Sequence, residues 1–380
     1  MSRVVLSFAA LAVSVAAAAE PAAEVSASAD AGDLSTLVES SADAGTPPAG
    51  GLSVVPFGMP AYQPETSFLL GAFAMLVYEP PPGSGRRTSQ LLLAGVATLR
   101  KQFSLLLQPD WYLFDDRLRV GATLSVARFP DQFFGMGANT RVEDRQNYTP
   151  VLWEGEVNPT WRIADNFYLG PNFRIQQVQM VELPESGELA SGGLVGSKGG
   201  RTIQLGLSAA YDSRDTPLFP TQGSWVRANF RSAAAVLGSN FVFDVLKIDA
   251  RKYWTLPWAQ HILAVQALVE LRRGEPPFYD TGKMGGDAAR GHFEGRFRDR
   301  QLFSIQAEYR AHLFWRVSGV AFGSVSTVAR DLDSLSVAGI KPAGGVGLRL
   351  APLKDVPINV RFDVAYGSDL SFYLNVGEAF

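Results

Sequence analysis

From Leu52 onward, hydrophobic and polar positions alternate with a period of two. The pattern is clearest near the end, where Ile358, Val360, Phe362, Val364 and Tyr366 interleave with Asn359, Arg361, Asp363 and Ala365. Phe303, Ile305, Ala307 and Tyr309 interleave with Ser304, Gln306, Glu308 and Arg310 in the same way, and Leu246, Ile248 and Ala250 with Lys247, Asp249 and Arg251. Successive side chains of a strand point to opposite faces, so each segment predicts a strand with one apolar and one largely polar face.

A soluble sandwich would alternate too, and three features select a membrane barrel instead. The segments run to about ten residues or more, the length of a tilted membrane strand. Their polar faces carry full charges (Glu308, Arg310, Arg361, Asp363), which suits a wet lumen. Aromatic residues cluster near segment ends (Trp111, Tyr112, Trp161, Phe167, Trp225, Tyr253, Trp254, Trp258, Trp315), where interfacial girdles would stand. The segments, from 53–62 and 67–78 through 356–367 and 371–380, predict an all-β, 16-stranded antiparallel transmembrane β-barrel. Short connections such as Asp115-Asp116 and Ala164-Asp165 predict periplasmic turns. The long ones at 129–149, 181–199, 273–300 and 329–340 predict external or lumen-entering loops. Two connections fit less well: 79–88 is long for a turn, and Arg100-Lys101 is tight for an external loop.

The first residues read as an address. Met1-Ser2-Arg3 precedes an apolar run from Val4 to Val15, and Ala17-Ala18-Ala19 supplies a small-residue cleavage pattern, so 1–19 is expected to be a signal peptide. Residues 20–51 hold Ala, Ser, Gly, Pro and scattered acids with no Lys or Arg, the composition of a disordered linker. That stretch is too short for a folded periplasmic domain of ordinary size, and the barrel is expected over 52–380.

Composition narrows the chemistry. With 47% hydrophobic and 19% charged residues, disorder is excluded as the main state, and no later run is long and apolar enough for a membrane helix. A net charge of -3 argues against a nucleic-acid partner. Zero Cys and three His leave no basis for a metal centre or cofactor. There is no Gly-x-Ser-x-Gly, and His261 and His312 fall beside predicted turns, so no catalytic residue and no enzyme activity are expected. Arg86-Arg87, after Pro80-Pro81-Pro82, reads as a solvated turn.

In the longest loop, Gly285-Gly286-Asp287-Ala288-Ala289-Arg290-Gly291-His292 runs on to Gly295-Arg296-Phe297-Arg298-Asp299. With this string, the region from Val54 to Phe380 resembles the surface-antigen barrel of the BamA/TamA family of outer-membrane assembly and translocation proteins. In that family the loop carries a (Val/Leu)-Arg-Gly-(Phe/Tyr) motif that enters the lumen, where its Arg meets acids of the wall. Arg290 and Gly291 match, while Ala289 and His292 depart. The family's Phe-x-Asp-x-Gly pattern, on the thirteenth strand, is here Phe322-Gly323-Ser324-Val325-Ser326, with Ser at the Asp and Gly positions. Glu308 and Asp363, both of inward parity, are the acids expected to meet Arg290 instead. Tyr211-Asp212-Ser213-Arg214-Asp215, with Pro217, Pro220 and Gly223, resembles a family turn whose charges can pair locally. The end, Phe372 to Phe380, resembles the closing strand of outer-membrane barrels.

The resemblance implies a bacterial outer-membrane barrel in contact with lipid, with nascent outer-membrane proteins or periplasmic factors as partners. It would act through a weak seam between the first and last strands, built from Pro56, Pro60, Gly377 and Phe380. Each proline removes a ladder donor. The alternative is a passive pore or structural barrel without insertase activity. The missing wall Asp and the lack of room for the family's POTRA domains favour that second reading.

Overall fold

The computed structural model describes residues 51–63, 67–81, 83–99, 101–217, 219–257, 261–351 and 359–380. The proposed signal peptide, nearly all of the linker, and Trp258 lie outside them. Among the described residues nineteen strands form, and three short ones (Asp131–Phe133, Gly282–Lys283, Arg298–Asp299) belong to loops, which leaves sixteen in the wall. In chain order these are β1 (Gly51–Gln63), β2 (Ser67–Glu79), β3 (Ser89–Thr98), β4 (Phe103–Leu113), β5 (Leu118–Arg128), β6 (Gln146–Ala164), β7 (Phe167–Glu182) and β8 (Gly199–Asp212). They continue as β9 (Gly223–Ala233), β10 (Phe243–Thr255), β11 (Ile262–Gly274), β12 (Gln301–Phe314), β13 (Val317–Ala329), β14 (Lys341–Leu350), β15 (Val360–Tyr366) and β16 (Leu370–Val376). Every wall strand pairs antiparallel with its sequence neighbour, from β1 with β2 to β15 with β16.

The alternation turns the wall inside out relative to a soluble protein. On β7, Tyr168, Asn172, Arg174 and Gln176 are buried, whereas Leu169, Phe173 and Ile175 face outward. On β12, Ser304, Gln306, Glu308 and Arg310 are buried and Ile305 and Tyr309 are exposed. Water would not tolerate such an outer face, while hydrocarbon requires it. Parity also corrects part of the aromatic girdle. Trp111, Trp161, Trp254 and Trp315 stand outside as expected, but Trp225, Tyr253 and Tyr112 point into the lumen. The Trp225 ring lies between guanidinium groups, 4.5 Å from that of Arg119 and 4.7 Å from that of Arg214.

The connections alternate between the two ends of the barrel, and the longest, 129–145, 183–198, 275–300 and 330–340, all lie at one end. The β2–β3 connection is long because it reaches across the turn end. Arg87 donates from its backbone N–H to Asp116, and its guanidinium bonds Asn166 at 3.1 Å and the Asp212 carbonyl at 2.6 Å. It also forms an ion pair with the Asp212 carboxylate at 2.9 Å. The expected solvated Arg86-Arg87 turn is therefore half correct: Arg86 is exposed, whereas Arg87 ties three other turns together. In the next turn Arg214 forks onto Asp212 with both bonds at 2.9 Å, a local pairing that sets the reversal before β9.

Candidate functional site

The β11–β12 connection folds back into the lumen, and most of residues 277–299 are buried. Apolar packing supplies part of its grip: Met284, Ala288, Ala289 and Phe297 form one cluster with Leu268, Leu302 and Val328 of the wall. Ala289, where the family pattern has a larger residue, is fully enclosed in this cluster.

The loop carries Arg290 to a confined point between β12 and β15. Its Nη1 donates to Asp363 Oδ2 and its Nη2 to Glu308 Oε2, both at 2.6 Å, and all three side chains are fully buried. The guanidinium carbon lies 3.5 Å from the centroid of the Phe322 ring, so the planar cation is stacked on one face and forked at its edge. Gly291 is fixed by a different requirement. It sits at φ 103°, and a Cβ there would come within 2.7 Å of the carbonyl carbon of Tyr366, the last residue of β15. Its N–H donates to the Tyr373 hydroxyl at 2.9 Å, which seats the loop against β16. His292 contacts Ser368, with Nδ1 2.8 Å from the Ser368 hydroxyl, and burial pushes its pKa below the ordinary histidine value.

The wall contributes more than the two expected acids. Arg349 of β14 binds Asp363 at 2.5 Å and Glu378 at 2.8 Å, and Arg310 of β12 binds Glu308 at 2.7 Å. Arg361 reaches the loop residue Asp287 at 2.5 Å. Four guanidinium groups (Arg290, Arg310, Arg349, Arg361) thus face four carboxylates (Glu308, Asp363, Glu378, Asp287). The charges of this group thus balance with Ser324 standing where the resemblance would place an aspartate, Asp287 and Glu378 supplying two of the four carboxylates. Two glycines of β14 open the socket, since a Cβ on Gly347 would collide with the Asp363 carboxylate and one on Gly345 with the Phe322 ring. Farther along the loop, Asp280 pairs with Arg174 of β7 at 2.7 Å, and Arg296 donates to Thr140 at 2.6 Å. Arg298 donates to the Gln132 carbonyl at 2.9 Å. The sequence alone names no partners for Arg296 and Arg298, gives Arg349 and Glu378 no role, and places Phe322 in the wall pattern without the stacked guanidinium. Inward parity was the signal available for Arg349 and Phe322.

The expected seam residues fall in different surroundings. Pro56 stands opposite Ala74 and Pro60 opposite Leu70, both inside an unbroken register with β2. Among the described residues, the register partners of β1 all lie on β2 and those of β16 all on β15. Gly377 and Phe380 are a correction, because the predicted strand 371–380 ends at Val376. Gly377 takes φ 84°, which strand geometry cannot continue, and Phe380 is buried on the lumen side against Tyr253 and Ala264.

A sixteen-stranded wall, apolar outside and charged inside, entered by a loop whose Arg-Gly pair is locked to it, defines a class of membrane barrel. The chain belongs to that class by sequence as well: residues 85–380 match the Omp85 superfamily domain, and the protein is a member of that superfamily. No curated protein matches it by sequence. Among solved structures it is similar to BamA from Haemophilus ducreyi lacking POTRA domains 1-3, with 14% identity and a TM-score of 0.54 over 87% of this chain and 70% of that one. It is also similar to CdiB from Escherichia coli (11% identity, TM-score 0.55, 87% of this chain, 62% of that one). CdiB from Acinetobacter baumannii matches likewise (9% identity, TM-score 0.52, 86% of this chain, 59% of that one). At such identities the likeness is one of fold, and the chain spans less than two thirds of either CdiB.

Proposed function

We propose that this protein is a bacterial outer-membrane barrel that assists insertion or translocation of outer-membrane proteins through the junction of β1 and β16. The observation that carries this reading is the edge of β1. It offers a thirteen-residue strand whose register partners among the described residues are all on β2, beside a last strand of only seven residues. An unpaired backbone edge in hydrocarbon is costly and can be satisfied by an incoming strand, which is the physical basis of templating. Turns would face the periplasm and long loops the exterior, with lipid and nascent barrel strands as partners.

The loop bears on the alternative of a passive pore. Met284, Phe297 and the four-to-four charge network stand inside the lumen, which counts against free solute flow. Depletion of the protein from cells, followed by quantitation of other outer-membrane proteins, tests the proposal. Loss of a subset of them is expected. Unchanged levels, together with ohmic conductance of the purified barrel in a planar bilayer, would establish the passive reading instead.

A further inference from the structure

At the end of the barrel opposite the longest loops, the ring of Trp225 carries three guanidinium groups. Arg119 of β5 lies 4.5 Å from its centroid, Arg214 4.7 Å and Arg227 of β9 5.1 Å. Two of the three are balanced. Arg119 forks onto Asp110 of β4, Nε to Oδ1 and Nη2 to Oδ2, both at 2.7 Å, and Arg214 forks onto Asp212. Arg227 is 6% exposed and, among the described residues, forms no ion pair, while every other buried arginine of the wall strands forms one. The acids around it are engaged elsewhere. Asp249 stands opposite Arg227 in the β9–β10 register but accepts from Arg251 at 2.7 Å and from Gln266 at 2.6 Å, and Glu156 binds Arg231 at 2.8 Å. Arg87 adds a fourth guanidinium, on the same Asp212 carboxylate that Arg214 holds. Even with Asp116, which accepts the Arg87 backbone N–H, four cations face three carboxylates. Arg119 Nη1, Arg227 Nε and the Tyr112 hydroxyl are buried with no hydrogen-bond partner among the described residues.

Buried like charges packed on one ring repel, and a guanidinium in a confined place needs a counter-charge. Arg227 reaches across to β5, where a Cβ on Gly121 would lie 3.8 Å from its Nη2 and 4.0 Å from Asp110 Oδ1. The excess cation and the Arg119–Asp110 fork therefore border the same space. Two planar sets of N–H donors side by side match an oxyanion, whose oxygens accept several charge-assisted hydrogen bonds at once. We propose that Arg227 and Arg119, seated on Trp225, bind one oxyanion group, a phosphate or carboxylate, at this end of the lumen. Trp225 and Arg227 are the third and fifth residues of β9, so at about 3.3 Å per residue the site lies roughly 7–13 Å inside the mouth. The group has two sources, a free ion or the chain itself, because residues 20–50 contain six acids and no Lys or Arg and join β1 at the same end. The site is separate from the Arg290 network and does not depend on the seam reading.

Inorganic phosphate is the probe, titrated into the purified protein in detergent against chloride at equal ionic strength, with the thermal midpoint as readout. The parent should gain stability saturably, and Arg227→Met should weaken phosphate affinity by about tenfold or more, as loss of a charge-assisted hydrogen bond implies. Arg227→Lys, which keeps the charge but not the fork, should bind phosphate more weakly than the parent and serves if the Met variant does not fold. The second arm changes the six acids of 20–50 to Asn and Gln. Phosphate sensitivity that appears only then would assign the site to the chain's own carboxylates, and sensitivity in both proteins would assign it to a free ion. On the acid-free background in chloride, Arg227→Met should be no less stable than its parent, whereas Arg251→Met, which strips Asp249 of its partner, should be less stable. Insensitivity to phosphate in both proteins, or an undiminished effect in folded Arg227→Met, would overturn the site. Equal destabilisation by Arg227→Met and Arg251→Met would do so too, since Arg227 would then have its partner within the fold.

Discussion

The wall of β1–β3 and the wall of β12–β16 are built from the same alternating strands, yet their inner faces are opposites. The 36 residues of β1, β2 and β3 contain a single charge, Glu79, and Met75 and Val77 of β2 are buried on the inner face. The β12–β16 wall instead holds most of the four-to-four network around Arg290, all of it nearly or fully buried. Directional, buried pairs hold one geometry, because displacing one member leaves its partner uncompensated. Apolar contacts of an inner wall tolerate sliding far better, since each contact is weak and non-directional. A barrel made this way has a pinned sector, β12–β16, against which the loop is locked, and a sector, β1–β3, held chiefly by its ladder, while β4–β11 carry buried ion pairs of their own. The two sectors meet at β1, whose register partners among the described residues all lie on β2.

The largest expected effect lies in the pinned sector. Arg290→Ala should destabilise the folded barrel by about 3–5 kcal/mol, the cost of leaving buried carboxylates without their cation. Arg290→Lys should recover only part, because an ammonium cannot fork onto Glu308 and Asp363 while stacking on Phe322. Denaturant midpoints of the refolded barrel give both values, and equal stability of the two variants would remove the fork from the account. A same-size polar change in the β1–β3 sector, Met75→Gln, should cost clearly less, and a cost equal to that of Arg290→Ala would abolish the contrast.

A sharper test restores the family residue. Ser324→Asp adds a fifth carboxylate to a balanced network, so it should destabilise by about 1–2 kcal/mol unless the carboxylate takes up a proton. If the substitution stabilises the barrel, charge balance is not what allows serine there.

The smallest effect is a dependence on pH. His292 has a folded-state pKa below its unfolded value of about 6.5, so its neutral form is the one the folded loop accepts. Its contribution is complete above that value and is lost as pH falls through and below it. The groups around it include the Ser368 hydroxyl, Asp369, Lys341 and Arg296. Stability measured between pH 7 and 5 should fall more steeply in the parent than in His292→Gln, and parallel curves would place the pH dependence elsewhere.

Much of this was legible in the chain because a strand's period is local. Alternation located all sixteen wall strands, and the same parity placed Glu308 and Asp363 on the inner face before any contact was known. The Arg-Gly pair drew attention to the right loop, since an arginine in a confined lumen must find acids. Parity, when applied, would also have moved Trp225 and Tyr253 from the girdle to the lumen, because nearness to a strand end says nothing about which face a ring occupies.

Other features depend on which strands meet across the lumen, and periodicity carries no such information. The cations Arg349 and Arg361 are met by Glu378 and Asp287, which lie 91 positions apart in the chain. Arg87 looked solvated because Asp212, its partner, is 125 residues away and is brought near by the ring of turns. Phe380 continues an alternating pattern into what reads as strand, yet Gly377, at φ 84°, ends the extended backbone and Phe380 packs beside Tyr253. The sequence alone determined the strands, their two faces and the loop that enters the lumen, because these follow from the order of side chains along one chain. Only the tertiary structure decided the partners of each buried charge and the end of the last strand, because pairing energies in a confined lumen depend on groups that the fold alone brings within a few ångströms.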